Sequence, residues 1–229
     1  MPERVLAYCL LPIAYCLLPI AYCPRLSVPD ARYVSCMLCQ ACHRFASGFL
    51  CARCRTNLRP ASERILEGGI RLVAAFEHAG VARELVHGLK YRGLTGFADL
   101  VVDMVAPRVP SLPVVPLPRT WSRQILYGVD PAREIGLRLA RALDVPLLDL
   151  LSPPIHARRR AGGDHSMPAP ELRARRLPGG PFVLVDDVVT TGATVSSAAR
   201  SLGMGRLALV VAANAADMVS SPLADRENR

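Results

Sequence analysis

From residue 60 onward, apolar and polar positions alternate between two periods, one suited to strands and one to helices. Residues 70–77 (IRLVAAFE) predict a strand, 81–90 an amphipathic helix and 97–105 a second helix. Residues 112–117 form a strand bounded by prolines, leading into the stiff run Pro116-Leu117-Pro118-Arg119. Asp130 caps a helix reaching Leu143, with Pro131 in its first turn and Ile135, Leu139 and Leu143 four apart on its apolar face. A further apolar run covers 145–151, whereas 152–178 is polar, arginine-dense and broken by Gly and Pro. Phe182, Val183, Leu184 and Val185 make a buried strand, 193–202 a helix and 206–213 a last strand. This alternation predicts an α/β domain over 65–219, a mainly parallel sheet flanked by helices with its site at the carboxyl edge of the strands.

The amino-terminal stretch follows another rule. Residues 5–23 repeat a seven-residue unit with Cys9, Cys16 and Cys23 in step, and carry no charge. That length approaches a membrane span, but Pro12 and Pro19 recur inside it and remove helix donors, so no stable span is expected. A seven-nucleotide repeat read through three frames gives such a pattern, so 1–35 is expected to lie outside the fold, with Met37 one candidate internal start. A membrane-associating or signal-like segment is the alternative, although the flank Met-Pro-Glu-Arg is a poor signal-peptide opening.

The remaining cysteines fall within 36–60: Cys36, Cys39 and Cys42, then Cys51 and Cys54. Two C-x-x-C knuckles a short loop apart predict a small ribbon-like module with structural Zn²⁺ on Cys39, Cys42, Cys51 and Cys54. Cys36 is the alternative to Cys42, since it also makes a C-x-x-C with Cys39. Disulfides are disfavoured because nothing directs the chain to an oxidising compartment, which gives a cytoplasmic expectation. The C-x-x-C-H haem pattern at Cys39 to His43 would require export and leave the second knuckle unexplained.

The strongest chemistry sits in PFVLVDDVVTTGAT, residues 181–194. An apolar strand ends in Asp186 and Asp187; Thr190, Thr191, Gly192, Ala193 and Thr194 then open a helix. Converging N–H groups, a helix dipole and threonine hydroxyls suit a phosphate. Carboxylates would repel that phosphate, so Asp186 and Asp187 fit sugar hydroxyls or Mg²⁺, and together the string suggests a phosphoribosyl group. Charge agrees weakly: the net +9 suits phosphorylated ligands or nucleic acid, and Lys90 is the single lysine among 28 basic residues.

The segment resembles the phosphoribosyl-pyrophosphate motif of type I phosphoribosyltransferases. The order of all the pieces resembles the ComF-type competence proteins, also described as amidophosphoribosyltransferase-like, which join a four-cysteine zinc module to such a domain. The likeness covers about 36–213, carried by the paired knuckles, F-E-H-A-G with L-K-Y-R-G (89–93), V-P-L-P-R (115–119) and D-D-V-V-T-T-G-A-T. The family usually shows Arg-Gly-aromatic-Asn where this chain has Tyr127-Gly128-Val129-Asp130, and His165 stands where a Gln is common; Arg123 matches a family arginine.

The resemblance implies that Asp186 and Asp187 hold the ribose hydroxyls directly or through Mg²⁺. Thr190, Thr191, Gly192, Ala193 and Thr194 would cradle the 5′-phosphate, and Lys90, Arg92, Arg119 and Arg123 would face pyrophosphate. Two functions follow as expectations. One is an accessory in uptake of transforming single-stranded DNA beside a helicase-like partner, with Arg158-Arg159-Arg160 and Arg173, Arg175 and Arg176 as candidate phosphate contacts. The other is an active phosphoribosyltransferase in nucleotide or base salvage.

Overall fold

In the computed structural model the described residues are 38–153 and 172–216. The chain divides into Met1–Val34 and Ser35–Arg229, and all described residues belong to the second unit. The amino-terminal repeat, Cys36, Arg158-Arg159-Arg160 and His165 lie outside the described residues. Among the described residues, no helix is long and apolar enough to cross a membrane.

The elements are a short helix α1 (Ala52–Thr56), β1 (Arg64–Ile65), β2 (Arg71–Glu77), α2 (Gly80–Arg92), α3 (Gly96–Val105), β3 (Val114–Pro116), α4 (Trp121–Tyr127) and α5 (Pro131–Ala142). There follow β4 (Leu151–Ser152), β5 (Arg173–Ala174), β6 (Phe182–Val189), α6 (Ala193–Leu202) and β7 (Leu207–Ala215). The main sheet has five strands in the order β1-β2-β7-β6-β3. β2, β7, β6 and β3 run parallel, and β1 adds an antiparallel edge.

Strand alternation builds a core on each face of the sheet. Val73, Val183, Val185 and Val211 join α2, α3 and α5 in one cluster. Leu72, Leu184 and Val210 join α6 and the flank of the β4–β5 pair in the other. The architecture is therefore an α/β mixed, mostly parallel sheet flanked by helices. The central strands read as unbroken apolar runs because both of their faces are covered.

The cysteine segment is tied into the first of these cores. Cys39, Leu50 and Cys54 are buried with Val86, Leu89 and Phe97. Phe49 lies against the start of α3, where a Cβ on Gly96 would stand 3.0 Å from its ring.

Three elements differ from the sequence reading. β6 does not end at the carboxylates but continues through Asp186 and Asp187 to Val189, because β7 keeps pairing with it as far as Ala215. α4 has no counterpart in the apolar pattern: Ile125 and Leu126 point to solvent, and Gly128 stops the helix in the left-handed conformation at φ 68°. The apolar run 145–151 contributes only a bridge from Leu147 to Val114 and the first residue of β4.

Candidate functional site

A difference in strand length opens the site. β3 is in register with β6 only up to Pro116 opposite Val185, and the last tie is Leu117 N–H donating to Val185 O at 2.8 Å. Beyond that point β6 is paired on its β7 side, and Asp186 and Asp187 border a cleft of about 190 Å³ at the carboxyl end of the sheet. This is the crevice position in which open α/β sheets hold ligands.

The cleft brings together Lys90, Arg119, Arg123, Asp186, Asp187 and Thr194 from the sequence reading. Arg92 is not among its lining residues; it is exposed at the end of α2, with Nη2 turned back toward Gly88. Thr190, Thr191, Gly192 and Ala193 form the neighbouring loop into α6. Gly192 is required there. Its φ is +79°, and a Cβ would sit 3.1 Å from Leu66. The loop is otherwise open, with Thr190, Thr191 and Ala193 exposed, and the Thr191 hydroxyl accepts weakly from Ala193 N–H at 3.4 Å.

The carboxylates are unlike one another. Asp187 pairs with Lys90 Nζ at 3.2 Å, and both side chains are largely buried. Asp186 accepts from Asp187 N–H at 2.7 Å. Burial, followed by the charge of Asp187, pushes the Asp186 carboxyl up to about 7. One negative charge here is balanced and the other is held near its titration point.

Arg119 serves two purposes. Its Nη1 donates to the carbonyls of Lys90 at 2.8 Å and Val129 at 2.9 Å, and its backbone N–H donates to Asp130 Oδ2 at 3.0 Å. The guanidinium lies 4.8 Å from the ring centre of Tyr127 and 5.7 Å from that of Tyr91. It thus locks the end of α2, the β3–α4 loop and the start of α5 around the cleft, while burial lowers its pKa from the usual value. Asp130 caps α5 as expected, accepting from Arg133 N–H at 3.3 Å. It also lines the cleft, where burial raises its pKa despite two N–H donors.

Sequence reading missed Tyr91 and Thr120 as lining residues and Tyr127 as a support behind Arg119, and saw Asp130 only as a cap. Their one sequence signal was proximity to L-K-Y-R-G and V-P-L-P-R. A larger groove of about 530 Å³ lies between α3 and α5. Three of its charges are spent on each other: Arg138 holds Asp99 at 2.7 Å and Glu134 at 2.6 Å.

No protein-family model matches the chain, and no curated protein matches it.

The cysteine site rests on its own geometry. The ligand atoms of Cys39, Cys42, Cys51 and Cys54 all lie within 4.8 Å of one another. Cys42 and Cys51 Sγ are 3.7 Å apart, close to the edge of about 3.8 Å that four 2.3 Å Zn–S bonds impose on a tetrahedron. None of the four is in a disulfide. Burial pushes the Cys39 thiol up, but N–H groups of Cys51, Cys42 and Ala41 outweigh it and hold the thiol down at about 6, which favours the thiolate a metal needs. Cys54 is raised by burial and by its neighbouring sulfurs. A cation among them removes that conflict. These four residues are positioned to hold a metal ion, and the all-sulfur donor set fits structural zinc.

Proposed function

We propose that the chain is a ComF-like protein whose phosphoribosyltransferase fold binds phosphoribosyl pyrophosphate with Mg²⁺, and that it acts as a cytoplasmic accessory in uptake of transforming single-stranded DNA. One observation carries the ligand reading: Asp186, Asp187 and Thr194 share a cleft with the cations Lys90 and Arg123 at the carboxyl end of a central parallel strand. Carboxylates suit ribose hydroxyls and a hard cation, the loop into α6 suits a phosphate, and the cations suit a diphosphate. The structural metal at the four cysteines would be zinc.

The DNA part of the reading is supported by the net charge of +9 and by exposed Arg173, Arg175 and Arg176, together with the resemblance in motif order. A helicase-like partner follows from that resemblance alone. Salt-sensitive binding of single-stranded DNA, weakened by reversing the charges at Arg173 and Arg176, is the expected result; no binding at low salt would remove direct DNA contact from the proposal.

The convergence of cations and carboxylates favours a second reading, an active phosphoribosyltransferase of nucleotide or base salvage. In that chemistry the acceptor's lone pair forms a bond to the anomeric carbon as the C–O bond to pyrophosphate breaks, and the electron pair leaves with pyrophosphate. Lys90 and Arg123 would stabilise the charge on the leaving group, and Asp186 and Asp187 would orient the ribose. Mg²⁺, when bound, would neutralise diphosphate charge.

Calorimetric titration of the zinc-loaded protein with phosphoribosyl pyrophosphate, with and without Mg²⁺, tests the ligand. Metal-dependent binding that disappears in Asp186→Asn/Asp187→Asn is expected, and the absence of heat under both conditions would sink the reading. Consumption of phosphoribosyl pyrophosphate with a base or amine then separates the enzyme from the accessory.

A further inference from the structure

The turn from β1 into β2 leans on the loop that leads into α6. Arg64 and Leu66 stand two apart, while Ile65 between them is exposed, so the alternation of an extended chain turns both to one side. Leu66 is held by its own backbone: its N–H donates to Ile70 O at 2.8 Å, and its carbonyl accepts from Gly69 N–H at 3.1 Å. Its side chain lies 3.1 Å from where a Cβ on Gly192 would stand, and so forms a floor under the turn of the loop.

Arg64 reaches further, to the ends of two parallel strands. Nη1 donates to Ala216 O at 2.6 Å, and Nη2 donates to Val189 O at 3.4 Å. Val189 O also accepts from Ala216 N–H at 3.0 Å, which closes the group. Val189 is the last residue of β6 and Thr190 the first of the loop, so the guanidinium fixes the peptide from which the loop departs.

Two features go beyond a structural clamp. The Arg64 Nε is buried with no hydrogen-bond partner among the described residues, and the side chain has no ion pair among them. A half-buried cation without a counter-ion opposes folding. Its charge adds to the positive end of α6, and both favour an anion on the loop. Neither Arg64 nor Leu66 lines the cleft, so they act through the loop backbone.

We infer that Arg64 is a positioning residue for the phosphate loop: with Leu66 beneath Gly192, it presets the loop N–H groups for a sugar 5′-phosphate before the ligand arrives. The inference rests on the phosphoribosyl reading and adds to it the part of the chain that shapes the anion site.

Calorimetry of the full chain, zinc-loaded and with Mg²⁺, compares wild type, Arg64→Ala and Arg64→Lys against ribose 5-phosphate, phosphoribosyl pyrophosphate and inorganic pyrophosphate. Alanine should weaken the two sugar phosphates by roughly 2- to 30-fold, the range over which residues that touch no ligand modulate binding, and leave pyrophosphate unchanged. Millimolar guanidinium, but not sodium chloride of equal ionic strength, should restore sugar-phosphate binding to Arg64→Ala, a recovery that lost stability alone would not show. Lysine keeps the charge but cannot span two carbonyls, so it should lose part of the same affinity, and it carries the comparison if the alanine variant does not fold. No loss in either variant, equal loss for all three probes, or a folded Arg64→Ala that guanidinium does not restore would each overturn the assignment. If wild type binds neither sugar phosphate, the phosphoribosyl reading falls and takes the inference with it. If wild type binds both and the variants bind them equally well, the inference alone falls.

Discussion

Replacing Asp186 with Asn should stabilise the protein while removing the proposed Mg²⁺-dependent ligand binding. The folded carboxyl titrates at about 7 against an ordinary value of 3.8. A gap of roughly three pH units at 1.36 kcal/mol each sets a ceiling of about 4 kcal/mol on the cost of ionising it in the fold. The side chain borders an open cleft, so solvent screens part of this, and about 1–2 kcal/mol is the working figure. Asn retains an oxygen for the Asp187 N–H, now 2.7 Å from Asp186, and removes the charge.

Because the folded pKa is raised, the proton-linked stability is complete below about pH 4 and is lost as pH rises through about 7. Asp186→Asn should therefore melt about 2–8 °C above wild type at pH 8 without Mg²⁺, taking 2–4 °C per kcal/mol for a domain of this size. The gap should shrink steadily toward pH 5.5. Differential scanning calorimetry of zinc-loaded samples across that range reads it directly. A variant that melts below wild type at pH 8, or a gap indifferent to pH, would mean that the ionised carboxylate is stabilised by its surroundings and that the reasoning is wrong.

Further outcomes follow from the same geometry. Lys90→Met should lower stability by about 1–3 kcal/mol, since it leaves the Asp187 charge buried and unpaired, and adding Asp187→Asn should restore part of the loss in a double-mutant cycle. Gly192→Ala, strained at φ +79° and crowded by Leu66, should reduce the urea midpoint by an amount equivalent to about 1–3 kcal/mol. The protein should contain one zinc per chain by atomic absorption. Cys54→Ser should lower the melting temperature of the α/β unit in a single transition, because Cys54 shares a core with α2 and α3; a metal-free protein with wild-type stability would count against the zinc site.

The sequence exposed whatever was buried on a regular period. β2, α2, α3, α5 and α6 lie within a few residues of their expected positions because each presents an apolar face to a packed layer. The Asp130 cap was readable for the same local reason, a side chain reaching the N–H of Arg133 three residues away. α4 was not readable. Trp121, Ile125 and Leu126 are exposed, so its apolar residues carry no period that points inward. The full length of β6 was hidden too, since its continuation depends on pairing with β7 rather than on its own carboxylates. At the cleft, Asp186, Asp187 and Lys90 announced themselves by type and motif. Thr120 and the tyrosines around Arg119 did not, because their roles arise from loops that meet only in three dimensions. The cysteine cluster was legible from spacing, and its place in the first core was not.

The Lys90–Asp187 pair means that the cleft carries its own counter-ion. Any divalent cation that takes Asp187 must first displace the ammonium, so bare metal enters at a disadvantage. A cation arriving with a diphosphate does not, because the released ammonium immediately finds new negative charge on the incoming molecule. Under the proposed reading the exchange would make metal and anion favour one another's binding, and a single lysine would distinguish a metal–diphosphate complex from either component alone.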